Sequence, residues 1–472
     1  MRRKNKPQVE FILAPAEVSN ETLAYYESYS ELSMLLDDNP KILECVHRDI
    51  ENGLKVEDTE DGQRKRGCRY TSENVLRSVI VQTREGLSLR EACIRIDESC
   101  FLRHFVRIHQ EPMMHSSLLC RLRNLIKADT WKEINRHLAR YAVANELITG
   151  KKLRMDTTAV ETNVHYPTDS SLLSDINRVL SRLIGRIREL FPEIVGQGRL
   201  GGKRIKRLAD EISRKSAKKQ ASTESLKPLY ERLIPQIERL CDWGDEILIG
   251  LKAIQASGRY DVTTQARCQF LSSELEQHLN HGRQVLSQVT RRVIDGEKVP
   301  CEEKLLSIFE PHTELLVRGK AGKRIEYGHM IEIEQVEEKF ITNYEVFEKK
   351  PVEHQLIAPA LLAHSELFGC LPDELSADKG YYESMTVIKE LEKDIEVVSI
   401  GKKGKRNDEE TEREHSFAFR LAQKFRAGIE GTISYLKRVF RLVRCFSKGW
   451  DHFQAAVGST IFTHNLVLLT RW

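Results

Sequence analysis

The stretch Leu153-Arg154-Met155-Asp156-Thr157-Thr158-Ala159-Val160-Glu161-Thr162-Asn163-Val164 constrains the fold most. It alternates in polarity and is rich in β-branched residues, so it reads as a strand. The chain beyond it turns helical. Leu173, Ile176, Leu180, Leu183, Ile187 and Leu190 recur at spacings of three and four, a coiled-coil-like seam. Leu226, Leu229, Leu233, Ile237 and Leu240 repeat it, as do Leu271, Leu275 and Leu279. Pro235 lies inside the second seam and is expected to kink or break it. The partners of the first strand must therefore lie beyond a long helical insertion.

Strand character returns at 305–309 and 314–317, and the segments 324–333 and 340–347 read as an antiparallel couple. Next come a helix at 354–364, a short strand at 374–382 running into a Gly turn, a helix at 384–393 and a strand at 396–400. A charged loop over 401–414 then leads into helices that fill the rest. With the insertion set aside, this order predicts an α/β domain, a mixed sheet with flanking helices, as in the ribonuclease-H-like fold.

Ahead of the sheet the chain reads as all helical. Residues 73–84 carry Val75, Leu76, Val79 and Ile80 at helical spacing, Gly86 is placed to stop that helix, and Ser88-Leu89-Arg90-Glu91 fits a capping box. Another helix runs through Phe101, Leu102, Phe105 and Val106. Arg77, Arg84, Arg90, Arg95, Arg103 and Arg107 are interleaved, which is compatible with a helix-turn-helix reader of DNA; a plain helical bundle is the alternative. The expected organisation is an N-terminal helical segment over 1–70 ending in a basic loop at 62–67, a helix-turn-helix-like domain over 71–150, a catalytic domain from 151–169 and 301–472, and the helical insertion over 170–300.

Net charge over 472 residues is only +4, but its distribution is uneven. Residues 199–220 hold nine Lys/Arg against two acids, and 401–450 hold thirteen against six, an excess of seven in each. Such patches are the footprint of a polyanion, usually nucleic acid, or else simply a solvated basic face. Lys203, Arg204 and Arg207 in the first patch join Arg90 and Arg95 as candidate DNA contacts. No apolar run reaches the roughly 20 residues of a membrane span, and no signal-peptide core follows the basic start. The ten cysteines form no C-x-x-C pair, which argues for reduced thiols in the cytoplasm and against a structural zinc site.

Three acids carry the chemistry. Asp156 lies on the first strand, Asp378 at the end of a later one, and Glu430 on a helix expected to pack across the sheet. Carboxylates converging from separate elements suit a hard cation such as Mg²⁺, which keeps several waters and binds through few carboxylates plus substrate phosphate. Two such ions roughly 4 Å apart can serve an in-line phosphoryl displacement. Taken singly, Asp156 and Asp378 also read as turn residues, and Glu430, between Arg426 and Lys437, as a rung of a surface ion-pair ladder. Glu161, Asp169 and Glu310 compete for nearby positions. Trp450 reads as a core residue more readily than as a platform for an unpaired base.

Taken together, these motifs resemble bacterial insertion-sequence transposases of the DDE class over nearly the whole chain. Asp156-Thr157-Thr158-Ala159-Val160-Glu161-Thr162-Asn163 is similar to the first-Asp strand of that class, and Ala377-Asp378-Lys379-Gly380-Tyr381 to its second-Asp motif. Arg426-x3-Glu430-x6-Lys437 matches three of the four positions of its Tyr-x2-Arg-x3-Glu-x6-Lys pattern, with Gln423 at the Tyr position. Glu85-Gly86-Leu87-Ser88-Leu89-Arg90-Glu91-Ala92 is similar to the terminal-binding helices. The resemblance implies that Asp156, Asp378 and Glu430 hold Mg²⁺, with Mn²⁺ as a possible substitute. It implies that Arg426 and Lys437 contact phosphates, and that double-stranded DNA, at the element's terminal repeats and at the target, is the partner of a homodimer. His354 stands where related enzymes often carry a His-Asp pair. A non-catalytic DNA-binding descendant of a transposase and a structure-selective nuclease are the rival readings.

Overall fold

The computed structural model describes residues 4, 18–61, 69–196, 202–218, 222–257, 260–317 and 325–471, which leaves the basic loop expected at 62–67 outside the described residues. The chain divides into two compact units, one of residues 1–163 with 328–472 and one of residues 164–327.

The first unit opens with seven helices, α1 (Asn20–Asp38), α2 (Pro40–Asp61), α3 (Ser72–Arg84), α4 (Leu89–Glu98), α5 (Cys100–Val106), α6 (Ser116–Asn124) and α7 (Ala128–Ala144), then strand β1 (Lys152–Thr162). The capping box at α4 forms as read: Ser88 Oγ accepts from Glu91 N at 3.3 Å while Glu91 Oε2 accepts from Ser88 N at 2.8 Å. The arginines expected to face a partner divide into two kinds. Arg90 and Arg95 are exposed on α4. Arg77 is fully buried, donating to Glu73, Asp37, Ser33 and the Phe105 carbonyl at 2.8–3.3 Å. Arg107 pairs with the same two acids, Arg84 lies over the Tyr29 ring, and Arg103 donates to the carbonyls of His109 and Glu111. These four hold the bundle together, which sequence spacing alone does not distinguish from a DNA-facing row.

The second unit contains α8 (Asp169–Leu190), α9 (Pro192–Val195), α10 (Gly202–Ser216), α11 (Thr223–Ser257), α12 (Val262–Val289) and strand β2 (Glu314–Val317). Leu173, Ile176, Leu180, Leu183 and Ile187 of the first seam, Leu229, Leu233, Ile237 and Leu240 of the second, and Leu271, Leu275 and Leu279 of the third meet in one core; Leu190 is exposed. The seams are thus satisfied within the unit. Helix α11 runs through both Pro228 and Pro235. An interior proline costs about 3 kcal/mol; four buried leucine and isoleucine side chains, at about 1.5–3 kcal/mol each, outweigh it. Residues 305–309 are not a strand. Gln288 bonds both the N–H and the C=O of Leu305, and Ser307 Oγ accepts from the N–H groups of Phe309 and Glu310, so the side chains satisfy what a ladder would.

The first unit resumes with β3 (Ile325–Val336), β4 (Ile341–Val346), α13 (Ile357–Phe368), β5 (Glu374–Ala377), α14 (Met385–Leu391), β6 (Val397–Ile400), α15 (Asp408–His415), α16 (Phe417–Arg438), β7 (Arg444–Cys445) and α17 (Trp450–Leu469). The sheet is mixed. Strand β1 pairs antiparallel with β3 and parallel with β5, β5 pairs parallel with β6, β4 lies on β3, and β7 pairs with the end of β1. Leu153 and Met155 face α13 and α14, while Val160, Ile331 and Ile333 face α16 and α17. A mixed sheet covered by helices on both faces is consistent with the ribonuclease-H-like expectation. Trp450 packs on Phe453 and His329, in the core role read for it.

Removing a buried cation strands its partners. Arg77→Met is expected to lower unfolding stability by about 3 kcal/mol, the lower end of the usual range because Arg107 still faces Glu73. Arg90→Met should change it by less than about 0.5 kcal/mol, as for most exposed positions. Urea unfolding of both variants checks the contrast.

Candidate active site

Strand register brings the first two acids together. Met155 of β1 pairs in parallel with Ala377 of β5, so Asp156 and Asp378 come one residue later on neighbouring strands about 4.8 Å apart. This is the carboxyl end of a parallel pair, the edge at which α/β folds place their ligands. Each aspartate accepts from the next backbone N–H, Asp156 from Thr157 at 2.8 Å and Asp378 from Lys379 at 2.7 Å. That leaves the remaining oxygens free to turn outward.

The third acid arrives on α16. Arg426 Nη2 donates to Glu430 Oε1 at 2.8 Å, and Arg426 Nη1 lies 3.8 Å from Asp156 Oδ2. One guanidinium therefore sits against both carboxylates. Burial pushes Asp156 up to about 6; Arg426 opposes the shift, and the charges of Asp378 and Glu430 add to it. Asp156 is largely buried, whereas Asp378 and Glu430 are exposed, so the cluster has a closed floor and an open mouth. Lys437 is half-buried on the same helix. Eleven residues advance an α-helix by about three turns and 16 Å, so Arg426 and Lys437 share one stripe, with Glu430 beside it.

The helix is seated by residues that sequence reading passed over. Arg154, two residues before Asp156 on the same face of β1, donates to Gln335 Oε1 at 2.9 Å and to the Phe425 carbonyl at 2.7 Å. Its guanidinium lies 4.5 Å from the Phe425 ring centroid. Thr432 Oγ1 lies 3.0 Å from Gln335 Nε2, and Gln423, where the family pattern has Tyr, donates to the Ser399 carbonyl at 2.8 Å. On the other face Thr157 donates to Glu353 Oε1 at 2.9 Å, which makes Glu353, the neighbour of His354, a support of the first-Asp strand. A visible signal was available for Arg154, a long cation inside an otherwise β-branched strand.

The competing acids are engaged elsewhere: Glu161 with Arg444, Asp169 with Arg292 and Glu310 with His312. Lys203, Arg204 and Arg207 are exposed on α10, opposite its buried Ile205, Leu208 and Ile212.

Gly428 lies directly over the Arg154 guanidinium, and a Cβ there would collide with Nη1. Gly431, one turn on, has open space at the same position. Gly428→Ala is therefore expected to destabilise by about 1–3 kcal/mol, since overpacking outweighs the helix-propensity gain. Gly431→Ala should stabilise by up to about 1 kcal/mol. Opposite signs in denaturant midpoints for two glycines of one helix check the clamp.

Residues 291–466 match the family described as Transposase DDE domain, a span that includes Asp378, Arg426, Glu430 and Lys437 and begins after Asp156. No curated protein and no solved structure is matched. The carboxylate-lined strand edge and this match agree, and over residues 291–466 the chain is similar to the DDE domain of transposases.

Proposed function

We propose that this protein binds the ends of its own insertion sequence, hydrolyses a phosphodiester there and joins the freed 3′-hydroxyl to target DNA. The observation that carries the reading is that strand register sets Asp378 beside Asp156 while Arg426 bridges Asp156 and Glu430. The donor set fits a hard cation. It consists of carboxylate oxygens on separate elements, open to solvent on one side, and it already draws a guanidinium between two of its members. A divalent ion held there, Mg²⁺ with Mn²⁺ as substitute, would supply Lewis acidity at the scissile phosphate and lower the pKa of an attacking water.

The chain's own residues do the rest. Asp156, buried and fixed by the Thr157 N–H, sets the position of the site; Asp378 and Glu430, exposed, adapt to the substrate. Arg426 and Lys437, about 16 Å apart along α16, span close to five base-pair rises of duplex and would offset charge gathering on the phosphate oxygens. Arg90 and Arg95 on α4 and Lys203, Arg204 and Arg207 on α10 are the proposed contacts to the DNA backbone away from the chemistry. Pairing two element ends calls for a homodimer.

Asp378→Asn and Glu430→Gln are each expected to reduce cleavage and joining of DNA carrying the element's ends by at least about a hundredfold, since a lost ligand removes several kcal/mol of transition-state stabilisation. Specific binding in a gel-shift assay should survive. Unchanged cleavage would overturn the assignment, and Glu430 would revert to a rung of a surface ladder.

A proton and a cation compete for Asp156. With its carboxyl raised to about 6, Mn²⁺ affinity should be flat above that pH and fall about tenfold per unit below it. Arg426→Gln removes the charge that holds this value down, so the break should move to higher pH. Electron paramagnetic resonance of free Mn²⁺ at stepped pH measures both.

A further inference from the structure

A second group of metal-ligating side chains lies among the N-terminal helices, remote in sequence and in chemistry from the carboxylate site. We propose that Cys45, Glu133 and His137 form a zinc site that ties α2 to α7. Glu133 and His137 are four residues apart on α7, hence on one face of that helix. Cys45 projects from α2 and is buried. The cysteine sulfur, a carboxylate oxygen and an imidazole nitrogen all lie within 4.8 Å of one another. Ligands placed 2.0–2.3 Å from a tetrahedral zinc are separated by about 3.5 Å, so small side-chain rotations bring the three into range.

The neighbours support this use. Glu133 Oε2 accepts from Arg48 Nη2 at 2.6 Å, which orients the carboxylate and leaves Oε1 toward His137 Nε2, 4.0 Å away. An outer partner of this kind is what fixes a metal-binding carboxylate. Glu133 and His137 are partly exposed, which leaves a fourth position for water. A thiolate–imidazole–carboxylate set selects zinc over magnesium, unlike the all-oxygen set at Asp156. The sequence argued against zinc because the cysteines form no C-x-x-C pair and no His/Cys cluster; Cys45 and His137 are 92 residues apart (137 − 45) and the packing of α2 on α7 joins them.

The test is cobalt titration of the full chain, stripped with a chelator and carrying Asp378→Asn to weaken the oxygen site. One equivalent of Co²⁺ should give a thiolate-to-cobalt charge-transfer absorption that Zn²⁺ displaces. Cys45→Ser should abolish the band, and His137→Gln and Glu133→Gln should each weaken binding at least about tenfold. No charge-transfer band in the parent, or an undiminished band in Cys45→Ser, would overturn the site. Where Cys45→Ser loses its helical circular dichroism, the other two variants decide, and unchanged affinity in both rejects the proposal.

Discussion

The position of α16 on the sheet depends on one buried cation. Arg154 leaves β1 beneath the helix, bonds Gln335 on β3 and the Phe425 carbonyl, and stacks on the Phe425 ring. Burial lowers it to about 10, still high enough to stay charged at neutral pH. A buried guanidinium tolerates few arrangements, because every lost hydrogen bond leaves a desolvated donor. Its demand fixes both the rotation and the axial position of α16. Glycine at 428 is the complementary requirement, since any side chain there would occupy the guanidinium's place. Arg426 and Glu430 flank that glycine by two residues on either side and so inherit their aim at Asp156.

Electrostatics on the opposite face are arranged differently. Glu332 and Glu334 are buried on β3, at positions whose side chains point away from that of Asp156. Burial pushes Glu332 up to about 8, with the Tyr381 hydroxyl donating to it at 3.2 Å, and raises Glu334 well above the carboxylate range, with Asn343 donating at 2.8 Å. Burial thus favours the protonated form of both, which limits the negative charge these two acids add beside the strand of Asp156. Repulsion among the three site carboxylates is opposed at Asp156 by the Arg426 guanidinium.

Legibility tracked the range of the interaction. The capping box at Ser88, the β-branched strand at Asp156, the antiparallel couple at 325–346 and the helix of Glu430 each announce themselves within about a dozen residues, and all were readable. Asp156 and Asp378 could be paired in thought because one lies on the first strand and the other follows the end of a later one. What stayed hidden is decided across the fold. Arg77 and Arg90 carry the same charge and helical spacing, yet only packing makes the first internal and the second exposed. Leu305 to Phe309 has strand composition, but Gln288, seventeen residues before Leu305, takes its backbone bonds. Pro235 signals a break that the surrounding core overrides. Arg154 was in plain view, and its role needed the knowledge that α16 would cross above it.

The last helix explains why the N-terminal helices and the sheet form one unit. From Val457 to Val467 helix α17 is buried on every side, and its apolar residues serve two cores. Phe453, Val457 and Ile461 face the sheet core with Ile331, Ile333 and Ile429. Phe462, Leu466 and Leu469 face the other way, into the core built from α1 to α7, where Phe462 meets Trp131 at 5.8 Å between ring centroids. Asn465, wholly buried, closes the join by bonding both the N–H and the C=O of Ile341 on β4. Two cores that share a helix and a satisfied buried amide cannot slide independently without exposing both. On the proposed function, a DNA segment held by the N-terminal helices would therefore have a fixed bearing on Asp156, and the proposed recognition and cleavage would be coupled by rigidity.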